Sequence, residues 1–142
     1  MDEPRLGAGA AIVRGGKLLL IRRRNAPEPG HWGLPGGKVD LFETAAAAAE
    51  REILEETGIR VEATELLCNV DQIDRDAGTH WFAPVYFITE FVGEPTIVEP
   101  NKHDGLDFFP LDDLPSPLTA PTLGAIRALR RRLSRPSAGG AS

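Results

Sequence analysis

Apolar positions recur along this chain with two different periods, and the switches between them mark out its elements. Leu6 to Val13 is a run of small and apolar residues that reads as a strand, Gly15-Gly16 is a hairpin turn signal, and Lys17 to Ile21 (KLLLI) is the return strand. The unbroken apolar run in that return strand predicts cover on both of its faces. Arg22, Arg23 and Arg24 follow, then a loop rich in turn formers, NAPEPGHW. Trp32-Gly33-Leu34-Pro35 leaves room only for an extended stub leading into a double-glycine turn at Gly36-Gly37. Helical spacing begins near Glu43 or Thr44, where an acidic or hydroxyl residue suits the helix start, and stops at Gly58, a residue able to take the left-handed cap. Ala45 to Ala49 combine high helix propensity with little bulk, so this helix is expected to pack closely on a sheet.

Downstream, Val61 to Ile73 and Thr79 to Val92 read as two strands around the turn DRDAG. In the second, His80, Phe82, Pro84, Tyr86 and Ile88 share one face, with Trp81, Ala83, Val85, Phe87 and Thr89 on the other. Pro84 predicts an edge strand or a bulge. Asp107-Phe108-Phe109 reads as a short last strand, and Thr119 or Thr122 caps a closing helix that runs to about Leu133. The tail from Ser134 (SRPSAGGAS) is too poor in apolar residues to pack and is expected to be disordered over 134–142. Strands on both sides of one helix, with a second helix at the end, predict an α/β fold in which a mixed sheet is layered between helices, in one domain over residues 1–133.

The 142 residues suffice for a normal core, and 42% hydrophobic with 26% charged residues is a globular composition. A net charge of -5 argues against nucleic-acid polymers and anionic membranes as partners, both of which attract basic surfaces. It also sets a constraint: an acidic protein handling a phosphate ester needs metal ions or local arginines to offset repulsion. Cys68, the lone cysteine, cannot form an internal disulfide, which points to a reducing compartment. MDEPRLGAG lacks a basic region followed by an apolar run, and no segment approaches the roughly 18–20 apolar residues of a membrane span, so the expected location is cytoplasmic.

The densest chemistry lies in the predicted long helix. Glu52, Glu55 and Glu56 stand at i, i+3 and i+4 and so fall on one helix face. Like charges at that spacing repel by a few tenths of a kcal/mol per pair, a penalty that a divalent cation turns into a binding site. Oxygen ligands without neighbouring cysteine or histidine suit a hard ion such as Mg²⁺. Taken alone, EREILEE is more often a plain solvated surface.

The wider pattern changes that weighting. The chain resembles the Nudix hydrolase family, whose box is Gly, five residues, Glu, seven residues, then Arg-Glu-apolar-x-Glu-Glu-x-Gly-apolar. Here it is Gly37, Glu43, Arg51-Glu52-Ile53, Glu55-Glu56, Gly58 and Ile59: nine specified residues over 23 positions, all matched. The flanks LLLIRR, HWGLPGG and FFPLDDLP extend the likeness over roughly residues 6–132. Phe42 departs from it, since many members carry glycine there. The resemblance implies a Nudix-type α/β/α sandwich with a mixed central sheet, and Mg²⁺-dependent hydrolysis (Mn²⁺ as the substitute) of a nucleoside diphosphate linked to another group.

By motif position it implies Glu52, Glu55 and Glu56 as metal-binding and base-supplying carboxylates, the Gly36 carbonyl as a further ligand candidate, and Gly37, Glu43, Arg51 and Gly58 as the structural frame of the box. Glu43 and Arg51 are expected to pair, since eight residues is a little over two helical turns. For the base the preference is Glu52, and for the firmest ligand Glu56. Arg22 and Arg23 leave the second strand close to the box loop and are candidates to grip phosphate, with plain surface charge an equal alternative. Glu99 in IVEPNKHDG resembles a late acidic ligand position, with Asp104 its competitor.

Trp32 and Trp81 suit base stacking, though core packing is the commoner use. His31, His80 and His103 show no ligand spacing and are assigned no role. Cys68 reads as an inert core thiol. Arg130-Arg131-Arg132 reads as charge solvating the last helix.

The function favoured is a pyrophosphohydrolase converting a nucleoside triphosphate, an oxidised one included, to the monophosphate and pyrophosphate. ADP-ribose and dinucleoside polyphosphates are the alternatives within the class, and a non-catalytic Nudix-like nucleotide-binding regulator is the alternative outside it. Regulators of that kind usually lose box carboxylates, which this chain keeps. Isoprenoid diphosphate isomerisation would want a cysteine near the box, and Cys68 lies outside it. A homodimer stays open.

Overall fold

The computed structural model describes residues 1–135; the expectation for the tail beyond Arg135 lies outside the described residues. β1 (Arg5–Arg14) and β2 (Lys17–Arg23) form the expected hairpin, with Gly15 and Gly16 at φ 59° and 77° in its turn. The two strands pair only beside the turn, Val13 with Leu18 and Arg14 with Lys17. Farther along they separate, and residues 32–38 fill the wedge between them. β3 (Trp32–Gly33) pairs with Ile21 and Arg22 of β2, and β4 (Gly36–Lys38) then pairs antiparallel with Gly7, Ala8 and Gly9 of β1.

Gly36-Gly37 is therefore strand and not the expected turn. Glycine is required there by close approach. Gly36 holds φ 154°, and a Cβ on it would collide with the Ala8 carbonyl, while one on Gly9 would stand 2.9 Å from the Pro35 carbonyl oxygen.

α1 (Ala45–Thr57) starts at the Thr44 cap, whose hydroxyl accepts the Ala47 N–H at 3.1 Å, and ends at Gly58 with φ 77°. Just before it Phe42 takes φ 71° while 97% exposed, a left-handed conformation that costs a non-glycine residue about 1–2 kcal/mol. The departure from the usual glycine is thus a strained loop position.

β5 (Leu66–Asp74) and β6 (Thr79–Ile88) flank the expected turn, but both are shorter than the sequence suggests. Residues 61–65 and 89–92 meet only through the Arg60–Val92 bridge and the Phe87 N–H donating to the Glu65 carbonyl. The Ala63 N–H is taken instead by the Glu50 carboxylate at 2.8 Å, so this segment folds onto α1 and leaves the ladder. Pro84 is not on an edge strand: β6 lies between β1 (parallel) and β5 (antiparallel). The missing donor is accommodated where β1–β6 pairing breaks, between Leu6–Phe82 and Gly9–Val85, and a register shift in β5 follows between Leu66 and Cys68. β7 (His103–Pro110) is longer than the expected last strand and runs antiparallel along the free side of β2. α2 (Ala120–Ser134) follows, with Thr119 at its cap.

The seven strands make a mixed sheet in the order β3-β2-β1-β6-β5, with β4 joined to β1 and β7 to β2. Ala8, Ala10, Ile12 and Leu19 point to Ala48, Ala49 and Ile53 of α1 on one face. Ala11, Val13, Leu18 and Leu20 point to Ala125, Ile126 and Leu129 of α2 on the other. The KLLLI strand is covered on both faces, as its apolar run predicts. The result is the expected α/β/α sandwich, in which the small alanines of α1 let the helix approach the sheet and present the box beside the β1–β4 wedge. Among the described residues no helix is long and apolar enough to cross a membrane.

Candidate active site

The three glutamates of the acidic ridge are not equivalent once the helix is seated. Glu56 is 11% exposed, Glu52 19% and Glu55 49%. Glu56 points at the wedge, where the Gly36 N–H donates to its Oε1 at 2.8 Å. Glu55 faces outward. Glu52 lies between them, packed so tightly on Gly37 that a Cβ there would collide with its carboxylate. Helix geometry thus places the ridge, and the wedge decides which carboxylate is sequestered.

Arg51 organises the turn of the box. Its Nε and Nη2 donate to the two oxygens of Glu43 at 2.8 and 3.0 Å, Nη2 also to the Lys38 carbonyl at 2.9 Å, and Nη1 to Glu52 Oε1 at 2.7 Å. Glu55 and Asp40 lie 3.3 and 3.4 Å from the same guanidinium. The expected Glu43–Arg51 pair is present and bidentate, and the neighbouring guanidinium, with the Asp40 N–H, pulls the Glu43 carboxyl down to about 2. This fork ties the loop to the middle of α1 and holds Glu52 by one oxygen.

Glu56 shows the opposite perturbation. Burial raises its pKa to about 8, aided by the charges of Glu52 and Glu99 and opposed by the Gly36 N–H and by Arg23. Burial therefore favours the neutral carboxyl over the carboxylate. The charges of Glu52 and Glu99 both reach Glu56. Glu99 meets Lys102 Nζ at 3.2 Å, and Asp104 is drawn off by Arg22 at 2.7 Å, which separates the two late acidic candidates.

The donor set fits a hard divalent cation: Glu56, Glu52 and Glu99 supply carboxylate oxygens, and the Gly36 N–H donates to Glu56. Like charges held together, one of them kept protonated by burial, gain by exchanging that proton for a metal ion. Among the described residues no three such groups are already gathered as a metal cluster. Glu52 accepts from Arg51 and Glu99 faces Lys102.

The arginines divide. Arg22 is committed to Asp104 and lies over the Trp32 ring at 5.4 Å. Arg23 donates to the Pro27 carbonyl at 2.7 Å and makes no ion pair among the described residues, while its charge acts on both Glu56 and His103. Trp32 is used for packing, with Phe109 edge-on at 5.0 Å and Gly105 so close that a Cβ would stand 2.7 Å from the indole. Trp81 remains half-buried beside Gly7. Cys68 is half-buried in β5, its thiol pKa raised by burial. The last-helix arginines do more than solvate: Arg130 donates to the Leu111 carbonyl, and Arg132 pairs with Glu65 while covering the Phe87 ring.

His103, passed over in the sequence, belongs to the site. It is 5% exposed and its Nε2 stands 3.5 Å from Glu56 Oε2. Its only sequence signal is the adjacency of HDG to the acidic position at Glu99, which becomes informative once β7 is aligned on β2. A cavity of about 860 Å³ opens elsewhere, between residues 60–65 and 87–92, and contains no box residue. Chemistry and concavity disagree here, and the perturbed carboxylates locate the site more directly than an open cleft that holds none of the box residues.

Residues 3–129 match the NUDIX domain family, and the chain belongs to it. Its structure is similar to that of a MutT NUDIX hydrolase from Burkholderia pseudomallei, with 55% identity, a TM-score of 0.88, and coverage of 90% of this chain and 99% of that one. In sequence it is 36% identical over 113 residues to an ADP-ribose pyrophosphatase of Methanocaldococcus jannaschii, covering 80% of this chain and 66% of that protein. A shorter stretch of 52 residues is 52% identical to a Mycobacterium tuberculosis protein that carries the name of an 8-oxo-dGTP diphosphatase, covering 36% of this chain and 37% of that protein. The aligned regions thus span just under two thirds and just over one third of those two relatives.

Proposed function

We propose that this protein is a Mg²⁺-dependent pyrophosphohydrolase that cleaves a nucleoside triphosphate, oxidised forms included, to the monophosphate and pyrophosphate. The observation that carries this is the buried Glu56 carboxyl, bonded to the Gly36 N–H and perturbed by Glu52 and Glu99, at the turn of an intact box. A divalent ion bound there would offset phosphate charge and acidify a bound water. Glu56, Glu52, Glu99 and the Gly36 carbonyl are the groups to hold it, with Glu55 at the rim.

Water attacks one phosphorus, the bridging P–O bond breaks with its electron pair leaving on pyrophosphate, and Glu52 accepts the proton. Glu52 suits this because one oxygen is fixed by Arg51 and the carboxylate lies against the glycine floor of the wedge. Arg23, free of carboxylate partners, grips a phosphate. Its replacement by alanine is expected to raise KM for triphosphate more than it lowers kcat. An unchanged KM would move the grip elsewhere.

The second reading, hydrolysis of ADP-ribose, is favoured by the Methanocaldococcus relative, which aligns over most of this chain. The deciding experiment is kcat/KM for ordinary and oxidised nucleoside triphosphates, ADP-ribose and dinucleoside polyphosphates, with and without Mg²⁺ and with Mn²⁺ in its place. Triphosphate cleavage that is fastest and lost without metal supports the first reading; fastest turnover of ADP-ribose replaces it with the second. Nucleotide binding without turnover of any member would leave a regulator.

A pH signature accompanies the metal site. In the metal-free protein Glu56 is protonated at pH values where the unfolded chain has already ionised it, so the folded state binds more protons. Its contribution to stability is complete below 4.5 and disappears as pH rises toward about 8. Glu43 works in the opposite sense, with stability present above 4.5 and lost as pH falls toward about 2. The melting temperature of metal-free protein is expected to fall between pH 5 and 8 by more than that of Glu56→Gln. Saturating Mg²⁺ is expected to flatten the difference. Parallel pH profiles for the two proteins would show that Glu56 is ionised throughout.

A further inference from the structure

We infer that His103 is a positioning residue for Glu56: together with the Gly36 N–H it clamps the two carboxylate oxygens and so fixes the direction from which that carboxylate meets its metal. The inference rests on the metal-site reading above. Gly36 occupies Oε1 at 2.8 Å, and His103 Nε2 faces Oε2 at 3.5 Å, so each oxygen is approached from a different strand, β4 on one side and β7 on the other. The backbone of His103 is anchored on two sides. Its N–H donates to the Glu99 carbonyl at 3.0 Å, and the residue pairs with Arg23 where the β2–β7 register shifts.

His103 is buried at this shift, and a bulge at a sheet edge is a common means of re-aiming one side chain. One short path thus links the phosphate-gripping candidate Arg23, the late acidic residue Glu99 and the buried ligand Glu56 through His103.

The other ring nitrogen sharpens the point. His103 Nδ1 is buried and has no hydrogen-bond partner among the described residues. An orphaned buried polar atom is destabilising, a cost that an apolar side chain at this place would avoid. Packing alone therefore does not account for a histidine. With Glu56 ionised, as a metal ligand must be, only the ring with its proton on Nε2 makes a favourable contact, and the unsatisfied atom is then the acceptor Nδ1. A ligand carboxylate oriented by a neighbouring N–H loses roughly tenfold to a hundredfold in metal affinity when that neighbour is removed.

The test compares His103→Gln, whose amide nitrogen reaches as far as Nε2, with His103→Asn, whose amide reaches only as far as Nδ1, and with His103→Leu. Mn²⁺ affinity is read by electron paramagnetic resonance on metal-titrated protein, beside kcat and KM and a melting curve for each variant. The expected result is Mn²⁺ binding weakened about tenfold or more in the Asn and Leu variants and restored to within about threefold in Gln, with kcat following affinity and KM for nucleotide little changed. Equal Mn²⁺ affinity in Gln and Asn would overturn the inference, even if Leu fails to fold, and so would a folded Leu variant that binds as the parent does. Glu56→Gln serves as the control. If that variant keeps full Mn²⁺ affinity the metal-site reading itself has failed, whereas loss in Glu56→Gln without loss in Asn or Leu removes only the role given to His103.

Discussion

Glu56→Gln is expected to lower kcat by at least about a hundredfold, a barrier increase of about 2.7 kcal/mol, while the protein remains folded. The amide is nearly isosteric with the protonated carboxyl that burial favours at neutral pH, and its oxygen can still accept the Gly36 N–H. What it cannot do is become an anion and hold a cation. Loss of turnover in a variant that melts no lower than the parent at pH 7 therefore separates ligation from folding. A variant that releases phosphate at near-normal rate in Mg²⁺ would show that the buried carboxylate is no ligand.

The second large effect contrasts two adjacent glycines. A Cβ on Gly36 would run into the Ala8 carbonyl and the Gly9 backbone, at a φ of 154° that side chains rarely adopt. Backbone on both sides has nowhere to retreat without opening the β1–β4 pairing. Gly36→Ala is expected to cost about 2–5 kcal/mol in stability, from strain plus overpacking. A Cβ on Gly37 would meet only the end of the Glu52 side chain, which can swing away. Gly37→Ala should therefore keep most of its stability and lose turnover, about tenfold or more, because the displaced group is the assigned base. Urea unfolding and kcat measured on both proteins give the comparison. Equal stability of the two variants would mean that the wedge is looser than drawn, and full activity in Gly37→Ala would take the base role from Glu52.

Much of this molecule could be read from side-chain order because the information was local. The Thr44 and Gly58 caps follow from the chemistry of helix ends and the two-sided burial of β2 from four successive apolar residues, whereas the Glu43–Arg51 fork, expected from helical spacing, forms because the loop before the Thr44 cap folds back on α1. Errors collected where a partner distant in sequence decides the outcome. Gly36-Gly37 looked like a turn because glycine pairs usually make one, yet here they are strand, and a Cβ on Gly36 would collide with the β1 backbone. Residues 61–65 looked like strand, but the Glu50 carboxylate captured the Ala63 N–H. Pro84 predicted an edge strand or a bulge; the strand is interior, and a local break in pairing with a register shift in β5 accommodates it.

The order of residues alone determined that a family box was present, that its carboxylates line one turn of a short helix, and that alternating and continuous apolar runs would build a sheet between two helices. These follow from periods of two and 3.6 and from end-capping, which act within a few residues. Only the tertiary structure decided that Glu56 is sequestered while Glu55 is not, that Asp104 is spent on Arg22 while Glu99 stays near the ridge, and that His103 stands beside the buried carboxyl. Those outcomes depend on desolvation and charge neighbours supplied by β4 and β7, whose distances from α1 along the chain bear no relation to their distances in space.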